Sequence, residues 1–331
     1  MTRATVVIFT ESSFAFWCFP EDQLTMLRQR FPDVTFHLVR TEAQLLRVLP
    51  QADVYLGWQF RPEWLPHAPR LRWIHSPAAG VRRLIFPEMQ RSPIVITNAR
   101  GVHATVIAEH VIGAMILVYR KFLQCFIHQR QRYWGNHALI ADPPGLLELA
   151  GRTVLIYGYG TIGQAIGRRA HALDMTVWAV RRHPDRSSPY AHRVGRLEDS
   201  LDWLSDADFV VVCMPYTDET REWFDRSRFE RMRPTAVFIN VARGHLVREP
   251  DLLEALQQKR IRAAVLDVFQ EEPLPPDSPF WTCDNVLITP HVAGVATDRH
   301  WHRVIEQFAQ NLERFLTNRP LLNVVDKQLG Y

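Results

Sequence analysis

The chain has 331 residues, enough to bury a large core and, by length alone, to form two domains. Its net charge of +4 and pI near 9.0 are mild, with both signs interspersed; this excludes the basic tails of nucleic-acid binders and suits an anionic cofactor and substrate without proving either. Cys18, Cys125, Cys213 and Cys283 are far apart, with no CxxC pair, so they read as free thiols in a reducing, cytoplasmic compartment and not as a metal site.

The apolar run that follows Met1 is too short for a signal peptide. Residues 5–10 (TVVIFT) read as a first strand, and a helix follows near 21–30. Strands at 34–39, 53–58, 71–76 and 94–99, with a helix at 42–49, continue the alternation and make a small parallel α/β domain. Trp58 and Phe60, after the third strand, fit a substrate pocket or simple burial equally well, and the aromatic cluster at 14–19 leaves room for an apolar substrate side chain. Apolar residues at helical spacing predict one long helix over 103–126 that carries the chain between domains. Its greasiest part, 111–119, is interrupted by Gly113 and flanked by His110 and Arg120, which marks a core helix and no membrane span. Pro143, Pro144 and Gly145 mark a connector over 135–150.

At 154–163 the sequence VLIYGYGTIG breaks from a buried strand into Gly158, Gly160 and Gly163 and then into a helical pattern. The first glycine permits a tight turn, the second admits a pyrophosphate, and the third lets the helix pack close to the strand. The helix start, at Thr161 and Ile162, offers its amides to an anion. Alone, the pattern also fits an ordinary glycine turn; a strand before it, a helix after it and the strand 175–180 beyond turn it into a dinucleotide site. An NAD site would carry an acid at the end of that second strand. Here Arg181 and Arg182 stand there, which fits a 2′-phosphate held by guanidinium forks and so favours NADP, with NAD still possible; a solvated basic loop over 183–188 is the plainer alternative. Apolar runs at 207–215, 235–242, 263–269 and 285–291 complete six strands of a doubly wound sheet. A final helix near 297–317, with Val304, Ile305, Phe308, Leu312 and Phe315 on one face, is expected to return to the first domain.

Ligands of such sheets lie beyond the carboxyl ends of the strands, where Arg243, Glu272 and His291 occur in turn. An arginine can hold a carboxylate and polarise the neighbouring carbonyl, a histidine can move one proton near neutral pH, and a carboxylate can orient that histidine. Reduction of a 2-keto acid by hydride needs these three. Each also has a plainer reading: a turn cap, an acidic loop residue, a satisfied core histidine.

The segments NVARGHLV at 240–247, LDVFQEEPLP at 266–275 and TPHVAG at 289–294, downstream of YGYGTIG and of TNARGVHATVIAEH at 97–110, resemble the D-isomer-specific 2-hydroxyacid dehydrogenase family over nearly the whole chain. The resemblance implies a Rossmann-type NAD(P)-binding domain, residues 101–294, inserted in a flavodoxin-like α/β substrate domain made of 1–100 and 295–331. It implies that Arg243 binds the substrate carboxylate and carbonyl, that His291 is the general acid and that Glu272 orients it. It also implies that Asp267 meets the nicotinamide end, and that Val241 and Ala242 with Cys213, Met214 and Pro215 line the cofactor. Ala79 and Gly80 match the place where backbone amides grip the substrate carboxylate, although Arg82 stands where the family commonly has Asp. Arg181 resembles the NADP-preferring glyoxylate and hydroxypyruvate reductases. Trp134 resembles a tryptophan lent across a homodimer interface, and ordinary packing is its other reading. The expected activity is NADPH-dependent reduction of a small 2-keto acid to the D-2-hydroxy acid, with no nucleic-acid or membrane partner. Two alternatives stay open. Phosphite is also an anion that Arg243 could hold, whereas formate would call for Gln at position 272; and the scaffold also serves non-enzymatic NAD(P)-sensing corepressors.

Overall fold

The computed structural model describes residues 4–185, 188–328 and 330. Arg186 and Ser187 of the basic loop, and Met1 to Arg3 of the N-terminal stretch, lie outside these. Contacts divide the chain into two compact units, Met1–Val102 with Ala296–Tyr331, and His103–Val295.

The first unit alternates strand and helix: β1 Thr5–Phe9, α1 Glu21–Arg30, β2 Thr35–Leu38, α2 Glu42–Val48, β3 Val54–Gly57, β4 Trp73–Ser76, α3 Pro87–Arg91 and β5 Val95–Asn98. The five strands are parallel in the order β2-β1-β3-β4-β5, the flavodoxin-like order. Because side chains alternate along a strand, Val6 and Ile8 feed the core on one face while Val7 feeds the other. Asp53, buried ahead of β3, accepts from Thr5 N at 2.9 Å and so fixes the start of β1 against it.

The second unit opens with α4 Ala104–Tyr119, α5 Phe122–Arg130 and α6 Asn136–Ala141, then runs β6 Thr153–Tyr157, α7 Thr161–His171, β7 Thr176–Val180, β8 Arg193–Gly195, β9 Phe209–Val212, α8 Arg226–Arg231, β10 Val237–Asn240, α9 Glu249–Gln257, β11 Ala263–Leu266 and β12 Val286–Ile288. All seven strands are parallel, in the order β12-β11-β10-β9-β6-β7-β8. The sheet therefore has one strand more than the six expected. The additional β8 is three residues long, basic at Arg193 and at the edge beside β7, so it has no apolar run to announce it. Ile107, Val111, Met115 and Tyr119 of α4 and Ile166 and Ala170 of α7 cover one face; Phe224, Phe229, Leu252 and Leu256 cover the other.

The chain returns to the first unit as α10 His300–Leu316. Val304, Ile305, Phe308 and Leu312 are fully buried on its inward face, each contributing about 1.5–3 kcal/mol through burial. Phe315, expected on the same face, packs only partly buried against that core.

The single long helix read over 103–126 is two helices. Between them Lys121 takes φ +53°, its amide bonds Val118 O, and its buried ammonium donates to Leu139 O at 3.2 Å, Asp142 O at 2.5 Å and the Asp142 carboxylate at 2.7 Å. Those partners lie some twenty residues on, in and after α6, within the stretch read as a plain connector. Helical periodicity continues through the break because α5 keeps its apolar residues exposed.

Candidate active site

In parallel sheets every carboxyl end points the same way, so the turns after β6, β7, β9, β10, β11 and β12 share one edge of the second unit. At the first of these, Gly158 has φ +99°, and a Cβ there would strike the Met214 amide. Any other residue at 158 pays both for the left-handed backbone and for that collision. A Cβ on Gly163 would strike Gly158 O, which is the close helix–strand approach the spacing predicts. Around the position a Cβ would take on Gly160 there is open space. Gly160 is the N-cap of α7 and brings no side-chain cap, and helix geometry leaves the amides of Thr161 and Ile162 without intrahelical acceptors. An anion can take them, so this turn fits a pyrophosphate.

The neighbouring cofactor candidates are tied to the same turn. Cys213 Sγ bonds Gly158 O at 3.1 Å, and burial pushes its thiol up to about 12, so it serves packing and not nucleophilic chemistry. Met214 is buried beside it, followed by Pro215. Arg181 N bonds Gly195 O at 2.9 Å at the end of β7. Burial raises the Tyr159 phenol, while the bond from Ser188 and the nearby Arg181 guanidinium work against that rise. Arg182 reaches Glu219 at 3.9 Å with both side chains more than half exposed, a pairing worth little in water.

Arg243 follows β10. Val241 and Ala242 are buried, and Asn240 braces the bend from both ends: its Oδ1 accepts from Ala242 N at 3.1 Å and its Nδ2 donates to Arg243 O at 3.0 Å. The Arg243 guanidinium, exposed, donates to Ala242 O at 2.5 Å. Gly244 lies directly under the turn after β11, since a Cβ there would occupy the Phe269 carbonyl and the Gln270 amide.

Glu272 and His291 are in contact: His291 Nδ1 and Glu272 Oε2 are 2.6 Å apart, with side-chain exposures of 49% and 35%. Glu272 Oε1 accepts from Phe269 N at 2.9 Å, so the carboxylate is aimed by its own turn. His291 stands at φ +53°, an uncommon state for a histidine, and Asp267 enforces it. Asp267 is 2% exposed; one oxygen takes Thr289 Oγ1 at 2.6 Å and Val292 N at 2.9 Å, the other Ala293 N at 3.0 Å, while its carbonyl takes His291 N at 2.9 Å. Both Asp267 oxygens are thus engaged in fixing the loop that bears His291. The bond between His103 Nδ1 and Gly294 O at 2.9 Å ties the end of that loop to the start of α4.

Ala79 and Gly80 lie in the first unit, exposed, in the turn after β4. Asn98 Nδ2 donates to Ala79 O at 2.6 Å and braces that turn as Asn240 braces the other. Trp58 Nε1 donates to Thr10 O and Trp17 O, and Phe60 is fully buried, so both have structural partners. Trp134, on the α5–α6 connection, is 86% exposed. Among the described residues, no group of three or more His, Cys, Asp or Glu is placed to hold a metal ion, and no helix is long and apolar enough to cross a membrane. Asn240, Asn98 and Glu249, which accepts from the turn amide Gln270 N at 2.7 Å, were not singled out in the sequence. The two asparagines are the last residues of their strands, the one signal that marks them.

Known proteins match this architecture. The family model described as D-isomer specific 2-hydroxyacid dehydrogenase, NAD binding domain, matches residues 112–293. Glyoxylate reductase of Pyrococcus furiosus is 31% identical over 318 residues, covering 94% of each chain. Glyoxylate/hydroxypyruvate reductase B of Yersinia pestis bv. Antiqua is 30% identical over 316 residues, 94% of this chain and 95% of its own. Among solved structures, NADPH-dependent glyoxylate/hydroxypyruvate reductase from Sinorhizobium meliloti, in complex with NADP and sulfate, aligns with a TM-score of 0.80 at 28% identity, covering 99% of this chain and all of that one. With a family model over more than half its length and a relative above 30% identity along nearly all of it, the chain belongs to the D-isomer-specific 2-hydroxyacid dehydrogenase family.

Proposed function

We propose that this protein reduces a small 2-keto acid, glyoxylate or hydroxypyruvate or a close relative, to the D-2-hydroxy acid with NADPH. The observation that carries the reading is the 2.6 Å bond between His291 and Glu272, at the carboxyl edge of the sheet that also bears the glycine turn. The names of the full-length relatives support it, as does the NADP in the Sinorhizobium meliloti structure. In this reading the His103–Val295 unit binds nucleotide.

NADPH, when bound, supplies the hydride that goes to C2 of the acid. Gly158, Gly160, Thr161, Ile162 and Gly163 hold its pyrophosphate, Arg181 and Arg182 its 2′-phosphate, and Cys213, Met214, Pro215, Val241, Ala242 and Asp267 line its length. Arg243 holds the substrate carboxylate and polarises the carbonyl. His291 gives its proton to the carbonyl oxygen, and Glu272 keeps the imidazole turned so that the opposite nitrogen faces the substrate. The test is loss of nicotinamide absorbance with NADPH or NADH over glyoxylate, hydroxypyruvate, pyruvate and phenylpyruvate. Rapid NADPH loss with one acid supports the reading; silence across the panel in a protein that binds NADPH sinks it. If the arginines read the 2′-phosphate, Arg181→Ala with Arg182→Ala will raise the KM for NADPH roughly ten- to a hundredfold and leave that for NADH nearly unchanged. An equal effect on both cofactors would remove the arginines from that role.

The same reading includes a homodimer in the cytoplasm. Phe122, Leu123, Phe126 and Ile127 form an exposed apolar stripe along α5, and Tyr133, Trp134 and Ile140 further along the chain are exposed as well. Apolar surface of that kind marks an interface. Four cysteines without a disulfide suit a reducing compartment. Phe126→Glu should therefore yield a monomer in analytical ultracentrifugation, and an unchanged sedimentation coefficient would remove α5 from the interface.

A further inference from the structure

The turn that carries Glu272 is held by two carboxylates. Phe269 N donates to Glu272 Oε1 at 2.9 Å, and the next amide, Gln270 N, donates to Glu249 Oε1 at 2.7 Å. Gln270 Nε2 then reaches Val247 O at 2.7 Å, and Gly244 sits beneath the same peptide with no room for a Cβ. Glu249 is the first residue of α9, six residues beyond Arg243. A single short segment thus bears the arginine at one end and, at the other, the clamp on the turn that aims Glu272.

Glu249 is half-buried. Burial, and then the Glu272 carboxylate, push its carboxyl above the usual range, while the Gln270 amide and His245 pull it down. The charged and titratable groups that face it are therefore His245, from the one-turn helix Gly244–Leu246, and Glu272. A half-buried carboxylate beside a second carboxylate is costly, and one good hydrogen bond to a neutral amide offsets only part of that cost. Helix capping does not account for it either, since the bond goes to a different loop.

We infer that Glu249 is a positioning residue for proton transfer: through Gln270 N it fixes the turn that aims Glu272 at His291, and it touches neither substrate nor cofactor. The inference rests on the reading of His291 and Glu272 given above. A looser turn lengthens the 2.6 Å contact and lets the imidazole rotate, which slows the proton step and leaves carboxylate and nucleotide binding in place.

The test uses the full-length protein with NADPH and glyoxylate. Glu249→Ala is expected to lower kcat roughly tenfold, with KM for both substrates within about twofold, and to raise the solvent deuterium isotope effect on kcat. Glu249→Gln, which keeps the oxygen that Gln270 N needs, should recover kcat to within about threefold of the parent. Should the alanine variant not fold, Glu249→Asp, whose shorter arm withdraws the acceptor, carries the same expectation. A parental kcat in the alanine or aspartate variant, a loss that glutamine does not repair, or a loss that appears in the KM for NADPH would each overturn the inference. His291→Asn and Glu272→Gln measured alongside separate the two failures. If they retain turnover, the reading of the pair falls; if they lose it while Glu249→Ala does not, only the role of Glu249 falls.

Discussion

His291→Asn will leave NADPH binding close to that of the parent and cut kcat for keto-acid reduction by about 10²–10⁴-fold, the usual range for removal of a positioned general acid. Asparagine keeps polarity and much of the volume at 291, and the loop around it is fixed by Asp267 through bonds to Thr289, Val292 and Ala293, none of which uses the imidazole. The loss will therefore belong to chemistry and not to folding, and single-turnover NADPH oxidation will locate it in the transfer step. Reduction consumes one proton per turnover, so rising pH moves the overall equilibrium toward the keto acid. Glu272→Gln will act on the same step in the same direction, because an amide nitrogen facing Nδ1 imposes the opposite tautomer and no longer stabilises the imidazolium. A His291→Asn protein within about threefold of the parental kcat would remove the histidine from catalysis.

How far these roles can be read without coordinates depends on whether the physics is local. The glycine turn was legible because two of its three glycines answer a constraint within a few residues: a left-handed φ at 158, a close carbonyl at 163. Buried parallel strands were legible because they are buried on both faces and read as continuous apolar runs. What escaped has distant causes. The break at Lys121 is made by carbonyls at Leu139 and Asp142, invisible to a helical period that carries on through α5. Strand β8 has no apolar signature because its edge faces solvent. Asp267 was assigned to the nicotinamide by resemblance, but the bonds that hold the His291 loop appear only when positions 267 and 293 are side by side. Nothing local in the sequence marks Glu249, which the structure places in the first turn of α9; only the fold brings Gln270 N against it.

Arg243→Ala will lower kcat/KM for the keto acid by about 10²–10³-fold and, unlike the histidine change, will divide the loss between KM and kcat. The carboxylate is held in ground state and transition state alike, so losing that grip raises KM; the carbonyl gains negative charge only during hydride transfer, so losing the polarising N–H lowers kcat. The fold should survive. The guanidinium is exposed and its bond to Ala242 O is local, while the bend itself is braced by Asn240 to the Arg243 carbonyl, which alanine retains. The melting temperature and the KM for NADPH should therefore stay near parental. Arg243→Lys separates the two parts of the role. Lysine keeps the charge and loses the planar fork, so it should restore part of the KM and little of the kcat if bidentate geometry is what aligns the carbonyl with His291. If lysine restores both, the arginine acts only as a positive charge. Near-normal kinetics in the alanine variant would take Arg243 out of the site.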